Sequence, residues 1–300
     1  MRLKTKAPAK INLYLDITGK RPDGYHNIRS IMQSIDLCDT VSVELCEATR
    51  GESSISLTCS DSDLPCDETN LACKAALAFF RGISAKYFSC RIHIEKIIPM
   101  AAGLAGGSSD AAAVLKLLNR LHSSPLDTDA LCDLGATVGA DVPFCIRGGT
   151  LVAEGIGERL RSTYSFPKSY IAVAVGGRGV STPDAYRMLD YSFSDDFGRD
   201  PAQFDAIITA IREKNISAAA ESMYNIFEKA VLPRHRTARQ LKEIMSGCGA
   251  LGTLMSGSGP SVFGIFDSRD KAEIAARTAA TIAEKAFACS TEVGREAGML

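Results

Sequence analysis

Residues 99–109 read PMAAGLAGGSS (Pro99, Met100, Ala101, Ala102, Gly103, Leu104, Ala105, Gly106, Gly107, Ser108 and Ser109), and Asp110 then leads into AAAVLKLLNRL. A glycine-rich turn running straight into an apolar helix brings unpaired backbone N–H groups and the positive end of a helix dipole to one place, which suits a polyphosphate. Glycines at 103, 106 and 107 permit positive φ and close backbone approach, and two serines add hydroxyls at the helix start. The stretch has no G-K-[ST], and its glycines do not fit G-x-G-x-x-G, so neither of those phosphate loops is present. An ordinary turn from strand to helix uses the same residues, and the rest of the chain has to decide between the two.

Four other stretches bear on that choice. In GADVPF (139–144), expected at the end of a helix, Asp141 is flanked by apolar residues and followed by Pro143. A carboxylate held and partly desolvated in this way can take a proton from an attacking hydroxyl, although a capping or turn aspartate has the same surroundings. In KAPAKIN (6–12), Lys10 stands at the mouth of a strand and Asn12 projects from the same face two residues on. A lysine there can neutralise charge on a transferring phosphoryl group, the plainer alternative being a solvated surface lysine. RPDGYHN (21–27) is a turn presenting Tyr25 beside His26, and stacking plus edge hydrogen bonds is how a protein holds an unpaired base; a packed turn is the alternative. LMSGSGP (254–260) lies between two expected strands, where Gly257 and Gly259 allow close backbone approach or simply a tight hairpin. G-x-S-x-G and H-E-x-x-H are absent, which leaves hydrolase and zincin chemistry without support.

Composition narrows the class of partner. The 300 residues carry 34 Lys and Arg against 35 Asp and Glu, a net charge of −1, with 46% hydrophobic and 23% charged residues. This is an ordinary globular balance for two domains or one large one, without the basic footprint of a nucleic-acid binder. The ten cysteines form no C-x-x-C pair, and Cys59, Cys66 and Cys73, seven apart, fit no common zinc pattern. Positions such as Cys38, Cys90, Cys145 and Cys289 read as small buried hydrophobes. Polar residues interrupt the basic N-terminus before a signal-peptide core forms, and no apolar run approaches about 18 residues. The expectation is a cytoplasmic protein with a small-molecule partner, no membrane and no obligate protein partner.

Periodicity predicts strands over 10–17, 40–47 and 88–97, and helices over 70–80 (with Thr69 as N-cap), 108–121 and 128–138. A glycine-rich stretch, 148–157, separates these from a second set: strand Tyr170–Val175, mostly helix to about 246, strands 252–256 and Ser261–Phe266, a helix over 269–286 and a short strand near 288–293. Strands and helices do not alternate strictly, so the fold class is α+β with two domains, 1–157 and 158–300, and a doubly wound nucleotide fold is disfavoured.

Together the quoted stretches, with NLACKAA, GIGERL and NIFEKAV, resemble the GHMP kinase superfamily and its Pro-x-x-x-Gly-Leu-x-x-x-Ser-Ser phosphate loop; the resemblance covers most of the chain. It implies two α+β domains with the active site in the interdomain cleft. PAKINL, DGYHN and GADVPF narrow it to the branch that phosphorylates the 2-hydroxyl of a methylerythritol carrying a cytidine diphosphate group, in the non-mevalonate route to isoprenoid precursors. The resemblance further implies ATP as donor, bound by 99–109, and Mg²⁺ accompanying it, with no evident metal ligand. It assigns Asp141 as base and Lys10 as the cation steadying it, and puts Asn12, Tyr25, His26 and Tyr186 on the substrate side, with Tyr25 and Tyr186 on either face of cytosine and His26 at its polar edge. Ala105 departs from the pattern, standing where many members have glycine. A kinase for a base-free alcohol such as homoserine or mevalonate, or a nucleotide-binding regulator that has lost turnover, remain the alternatives; the first has no use for a Tyr-His pair, the second none for a base.

Overall fold

The computed structural model describes residues 1–48, 51–177, 181–192 and 201–291. The chain opens with two long antiparallel strands, β1 (Arg2–Lys20) and β2 (His26–Leu45), then β3 (Ser54–Cys59), helix α1 (Leu71–Gly82) and β4 (Ser89–Glu95). Helices α2 (Gly106–Leu121), α3 (Thr128–Ala136) and α4 (Val142–Arg147) follow, then the hairpin of β5 (Thr150–Gly155) and β6 (Arg159–Ser162). The second half runs β7 (Tyr170–Val175), α5 (Thr182–Ser192), α6 (Pro201–Arg212), α7 (Ile216–Glu221), β8 (Tyr224–Asn225), α8 (Glu228–Val231), α9 (Arg236–Gly247), β9 (Gly252–Met255), β10 (Ser261–Phe266), α10 (Arg269–Ala279) and β11 (Lys285–Ser290).

Two sheets result. The first has strand order β3-β4-β2-β1-β8, with β5 paired to another part of β2 and β6 to β5; the second is β11-β7-β10-β9. This mixture of helices and sheets is the expected α+β class. Residues 157 and 158 fall in the turn of the β5–β6 hairpin, so Arg159–Ser162 stays with the first sheet. The two halves are stitched together by β8, which comes from the second half yet pairs in parallel with β1 at Tyr14 and Leu15.

Several elements are longer or shorter than periodicity predicts. β1 extends back to Arg2 through Pro8, which has no N–H to donate, and the register with β2 shifts between Pro8 and Lys10. The stretch 148–157 contains a largely buried strand, β5, hydrogen-bonded along β2. Its glycines mask this, because Gly148, Gly149 and Gly155, all at positive φ, bracket the strand and do not interrupt it. The cap of α1 is Asn70, whose side chain accepts from the Ala72 amide at 2.9 Å, while Thr69 bonds Asp67. Helix α10 stops at Ala279, and the end of the expected helix becomes β11, which pairs with β7. The last residues of the expected final strand, 292 and 293, lie outside the described residues.

The phosphate-loop region is anchored from below by a buried ionic cluster. Lys96 Nζ lies 2.5 Å from Asp39 Oδ2 and 2.7 Å from Asp110 Oδ2, all three side chains nearly inaccessible. Asp39 also accepts from the amides of Ile97 and Ile98, which fixes the approach to residue 99. One lysine faces two carboxylates, and Asp110 Oδ1 has no hydrogen-bond partner among the described residues. Burial therefore pushes the Asp110 carboxyl up to about 7, with Lys96 opposing and Asp39 reinforcing the shift. Burial alone would lower the Lys96 pKa; the two carboxylates outweigh it and raise it.

Lys96→Met leaves two buried carboxylates without their counter-charge and is expected to destabilise by about 3–5 kcal/mol in denaturant titration. Asp110 binds its proton more tightly in the fold than in the unfolded chain, so its contribution to stability is complete below its unfolded value and is lost as pH rises through about 7. The difference in unfolding free energy between wild type and Asp110→Asn is accordingly expected to shift in favour of the variant between pH 5.5 and 8, measured by urea midpoints.

Candidate active site

A cleft of about 390 Å³ lies where the two halves meet, lined from the first half by Lys10, Asn12, Ala101, Gly103, Ala105, Ser108 and Asp141, and from the second by Ser181, Thr182, Tyr186, Phe227, Gly257 and Ser258. Lys10 and Asn12 alternate on β1 and face the same way. Lys10 Nζ donates to Asn12 Oδ1 at 2.6 Å, Asn12 Nδ2 donates to Ser30 Oγ at 2.8 Å, and Ser30 Oγ donates to the Tyr14 carbonyl. Lys10 is only 4% exposed, so the solvated-lysine alternative fails; its ammonium is held by a chain of hydrogen bonds rooted in the sheet. Asp141 Oδ2 stands 3.9 Å from Lys10 Nζ with a third of its side chain accessible. It precedes α4 and makes no capping bond with its side chain, which excludes the helix-cap alternative and leaves the carboxylate facing the cleft.

The glycine-rich loop passes between β1 and the β9–β10 turn. The Lys10 amide donates to the Leu104 carbonyl at 3.1 Å, Ser109 Oγ donates to the Pro8 carbonyl at 2.7 Å, and Ser256 Oγ donates to the Gly103 carbonyl at 2.9 Å. Ala102 and Leu104 are buried in the core, while Ser109 spends its hydroxyl on β1. Ser108 keeps a place on the cleft wall. Helix α2 has no side-chain cap at Ala105, so its first-turn amides are not covered by the protein's own oxygen at that position. The conformations differ from those expected of the three glycines. Gly103 alone has positive φ, +75°, whereas Ala101 and Ala105 take left-handed values of +49° and +56°. Gly106 is needed for packing, since a Cβ there would lie 3.0 Å from Ile98 Cγ2 and from Lys96 Nζ. At Gly103 a Cβ would fall 2.1 Å from the Ser256 carbonyl oxygen.

Two opposite outcomes follow. Gly103→Ala is expected to lose about 1–3 kcal/mol in thermal or urea unfolding, because both the clash and φ oppose it. Ala105→Gly relieves a left-handed alanine and is expected to gain up to about 1 kcal/mol.

The base-binding candidates are arranged differently from the expected clamp. Tyr25 is 61% exposed at the tip of the β1–β2 hairpin. His26 is buried and stacks on Tyr186, ring centroids 4.8 Å apart and planes 17° from parallel. Tyr186 also meets Phe227 edge-on at 4.9 Å. One face of Tyr186 is therefore taken by His26, and the structure does not set the two tyrosines around an open slot. Burial, with some help from Asp141, pushes the Tyr186 hydroxyl up to about 12, so it stays protonated at neutral pH. His26 Nε2 lies 2.9 Å from Asp190 Oδ1, and Lys20 Nζ 2.7 Å from Asp190 Oδ2. Desolvation would raise the Asp190 pKa, but Lys20 and His26 outweigh it and hold it below the usual carboxylate range.

Sequence reasoning missed the polar residues that the second half contributes. Ser256 and Ser258 sit in a stretch equally readable as a hairpin, and Asn225, whose Nδ2 donates to the carbonyls of Met255 and Gly257, fixes that turn with no local signal. Asp190 likewise has no signature in its own neighbourhood. For a divalent cation, Asp141 is the one carboxylate among the described residues lining the cleft, and no group of three His, Cys, Asp or Glu among them could hold a metal. Hydroxyl and carboxylate oxygens suit Mg²⁺, but they are too few without phosphate oxygens to complete its shell.

Comparison with known proteins agrees with this architecture. Residues 70–149 match the model of the GHMP kinases N terminal domain and 207–283 that of the GHMP kinases C terminal domain. The chain is 44% identical over 275 residues to 4-diphosphocytidyl-2-C-methyl-D-erythritol kinase of Exiguobacterium sibiricum, covering 91% of this chain and 92% of the relative. It is 42% identical to the protein of the same name from Clostridium beijerinckii, covering 91% and 94%. A crystal structure of 4-(cytidine 5'-diphospho)-2C-methyl-D-erythritol kinase superposes with a TM-score of 0.80 at 33% identity, over 96% of this chain and 98% of that one. Homoserine kinase from Cytophaga hutchinsonii, at 18% identity and a TM-score of 0.76 over 97% and 96% of the two chains, shares the fold. By sequence across nine-tenths of its length and by fold across both halves, the chain belongs to the 4-diphosphocytidyl-2-C-methyl-D-erythritol kinase family of the GHMP kinases.

Proposed function

We infer that the protein transfers the γ-phosphoryl group of ATP to the 2-hydroxyl of 4-diphosphocytidyl-2-C-methyl-D-erythritol, in the non-mevalonate route to isoprenoid precursors. The observation that carries this reading is the placing of a buried, hydrogen-bonded Lys10 and an accessible Asp141 in one cleft with the start of α2. Asp141 accepts the proton of the substrate hydroxyl as its oxygen attacks the γ-phosphorus and the bond to the ADP oxygen breaks. Lys10, held by Asn12, orients Asp141 and offsets negative charge on the group in flight. The loop 99–109 and the first-turn amides of α2 cradle the phosphates, with Ser108 at the cleft wall. Ser108 and Asp141, which line the cleft, would be the residues to hold a Mg²⁺ bound with the nucleotide, and that ion would neutralise phosphate charge.

On the substrate side, Leu15, Ile28, Met32 and Ile156 form an apolar part of the cleft suited to the methyl-bearing carbon chain. Tyr25 stacks on the cytosine and His26 reads its polar edge, while Tyr186 holds the imidazole plane from behind. We place the enzyme in the cytoplasm, consistent with an acid–base site that needs no membrane; among the described residues no helix is long and apolar enough to cross one.

A coupled ADP-release assay across a panel of alcohols tests the function. ADP formation with the cytidine diphosphate substrate and not with homoserine or mevalonate is expected; turnover of a base-free alcohol at a comparable rate would overturn the reading. Asp141→Asn keeps the shape but cannot accept the proton, and turnover is expected to fall by about 10²–10⁴-fold in a folded protein. Lys10→Met is expected to act chiefly on turnover as well. Tyr25→Ala is expected to cost about 1–3 kcal/mol of stacking, seen as a raised KM for the cytidine substrate with that for ATP almost unmoved.

A further inference from the structure

We propose that Ser30 is a positioning residue for the phosphoryl transfer: by fixing which end of the Asn12 amide faces Lys10, it sets where the Lys10 ammonium stands relative to Asp141. The inference rests on the roles given to Lys10 and Asp141 under the proposed function and deepens them.

The chain of bonds behind Lys10 has a direction, and that direction is set from its far end. The Tyr14 carbonyl can only accept, so Ser30 Oγ, 2.7 Å from it, spends its one proton there. Only lone pairs remain on Ser30 Oγ, and the Asn12 atom 2.8 Å away must therefore be the donor, Nδ2. The two ends of an amide point apart, which turns Oδ1 toward Lys10, and this oxygen accepts from Nζ at 2.6 Å. The reverse orientation would set an amide N–H against the ammonium, donor to donor. Asn12 is 1% exposed and Ser30 is fully buried, so bulk water cannot stand in for a missing partner. The strand pairing makes the reach possible. Asn12 faces Met32 across β1 and β2, and Ser30 lies two residues from Met32 on the same face of β2. Among the described residues, the bond to Asn12 is the one hydrogen bond of the Lys10 side chain, and Asp141 Oδ2 stands farther off at 3.9 Å. An ammonium tethered at one point has two further N–H groups to offer, to Asp141 and to the phosphoryl oxygens. Ser30 thus acts through Asn12, and a buried hydroxyl on β2 governs the aim of a cation on β1.

The test joins spectroscopy to kinetics on the full-length protein. In the wild type, nuclear Overhauser contacts from the Asn12 side-chain amide protons are expected to be strongest to the Ser30 β-protons. Stronger contacts to the Lys10 ε-protons would mean the reverse orientation and would overturn the proposal without recourse to any variant. Ser30→Ala frees the amide to turn. In that variant kcat is expected to fall about ten-fold, the scale of one hydrogen bond, with the KM for ATP and for the cytidine substrate each held within about two-fold and the fold intact by circular dichroism. Ser30→Thr, which keeps the hydroxyl, should recover most of the lost turnover. In an Asn12→Ala background, Ser30→Ala should lower kcat no further, because the amide it orients is gone. Unchanged kcat in folded Ser30→Ala, or an equal further loss on top of Asn12→Ala, would sink the idea. Lys10→Met separates this inference from the reading beneath it. If Lys10→Met lowers kcat while Ser30→Ala does not, Ser30 alone is misassigned; if Lys10→Met also keeps full turnover, the role of Lys10 is what fails.

Discussion

The hydrogen bond from Ser256 Oγ to the Gly103 carbonyl, made where a side chain on Gly103 would strike the Ser256 backbone, joins the two halves at the glycine-rich loop. It requires two backbones in near contact, and therefore a glycine on one side and a rigid turn on the other. Asn225 supplies that rigidity by bonding the Met255 and Gly257 carbonyls, and it can do so because β8 is already paired with β1. The loop is consequently braced on three sides: by β1 through Leu104 and Ser109, by the β9–β10 turn through Gly103, and from below through Lys96 and its two aspartates. Phosphoryl transfer depends mainly on positioning and fixed charge, and these braces fix where the loop lies.

The same economy governs the charged groups. Lys10 and Lys96 are both buried lysines, yet they do different things because their partners differ. Lys96 is enclosed by two carboxylates and serves as an anchor. Lys10 is held by a neutral amide and looks across at a single carboxylate that solvent and ligand can reach. A buried cation whose charge is already matched stabilises a loop; one whose charge is only half matched is available to a phosphate. The β1–β2 hairpin shows a related division, in which the buried His26 is oriented by a ring and a carboxylate while Tyr25 is exposed.

Much of this was legible in the residues themselves. The α+β class, the strands at 170–175 and 261–266, helix α2 and the loop before it all follow from local periodicity and glycine placement. The alternation of Lys10 and Asn12 on one strand face is a property of any extended chain, and so survived into the structure unchanged. Periodicity failed where tertiary pairing overrode it, as in β5, read as a glycine-rich break, and in β11, read as the end of a helix. It also misjudged the loop, since the strained left-handed positions fell on Ala101 and Ala105, which no glycine pattern marks.

By its sequence alone the chain specifies its family, and it singles out the glycine-rich loop, Lys10, Asp141, Tyr25 and His26 as candidates, because each sits in a contiguous stretch whose backbone path is set by neighbours a few residues away. The tertiary structure decided which of these groups meet. The 3.9 Å between Lys10 and Asp141 spans 131 positions of sequence, and the contact of Asp190 with His26 spans 164. Such contacts leave no local trace: they depend on how β1, α4 and α5 pack, and a side chain's charge is set by what that packing brings beside it.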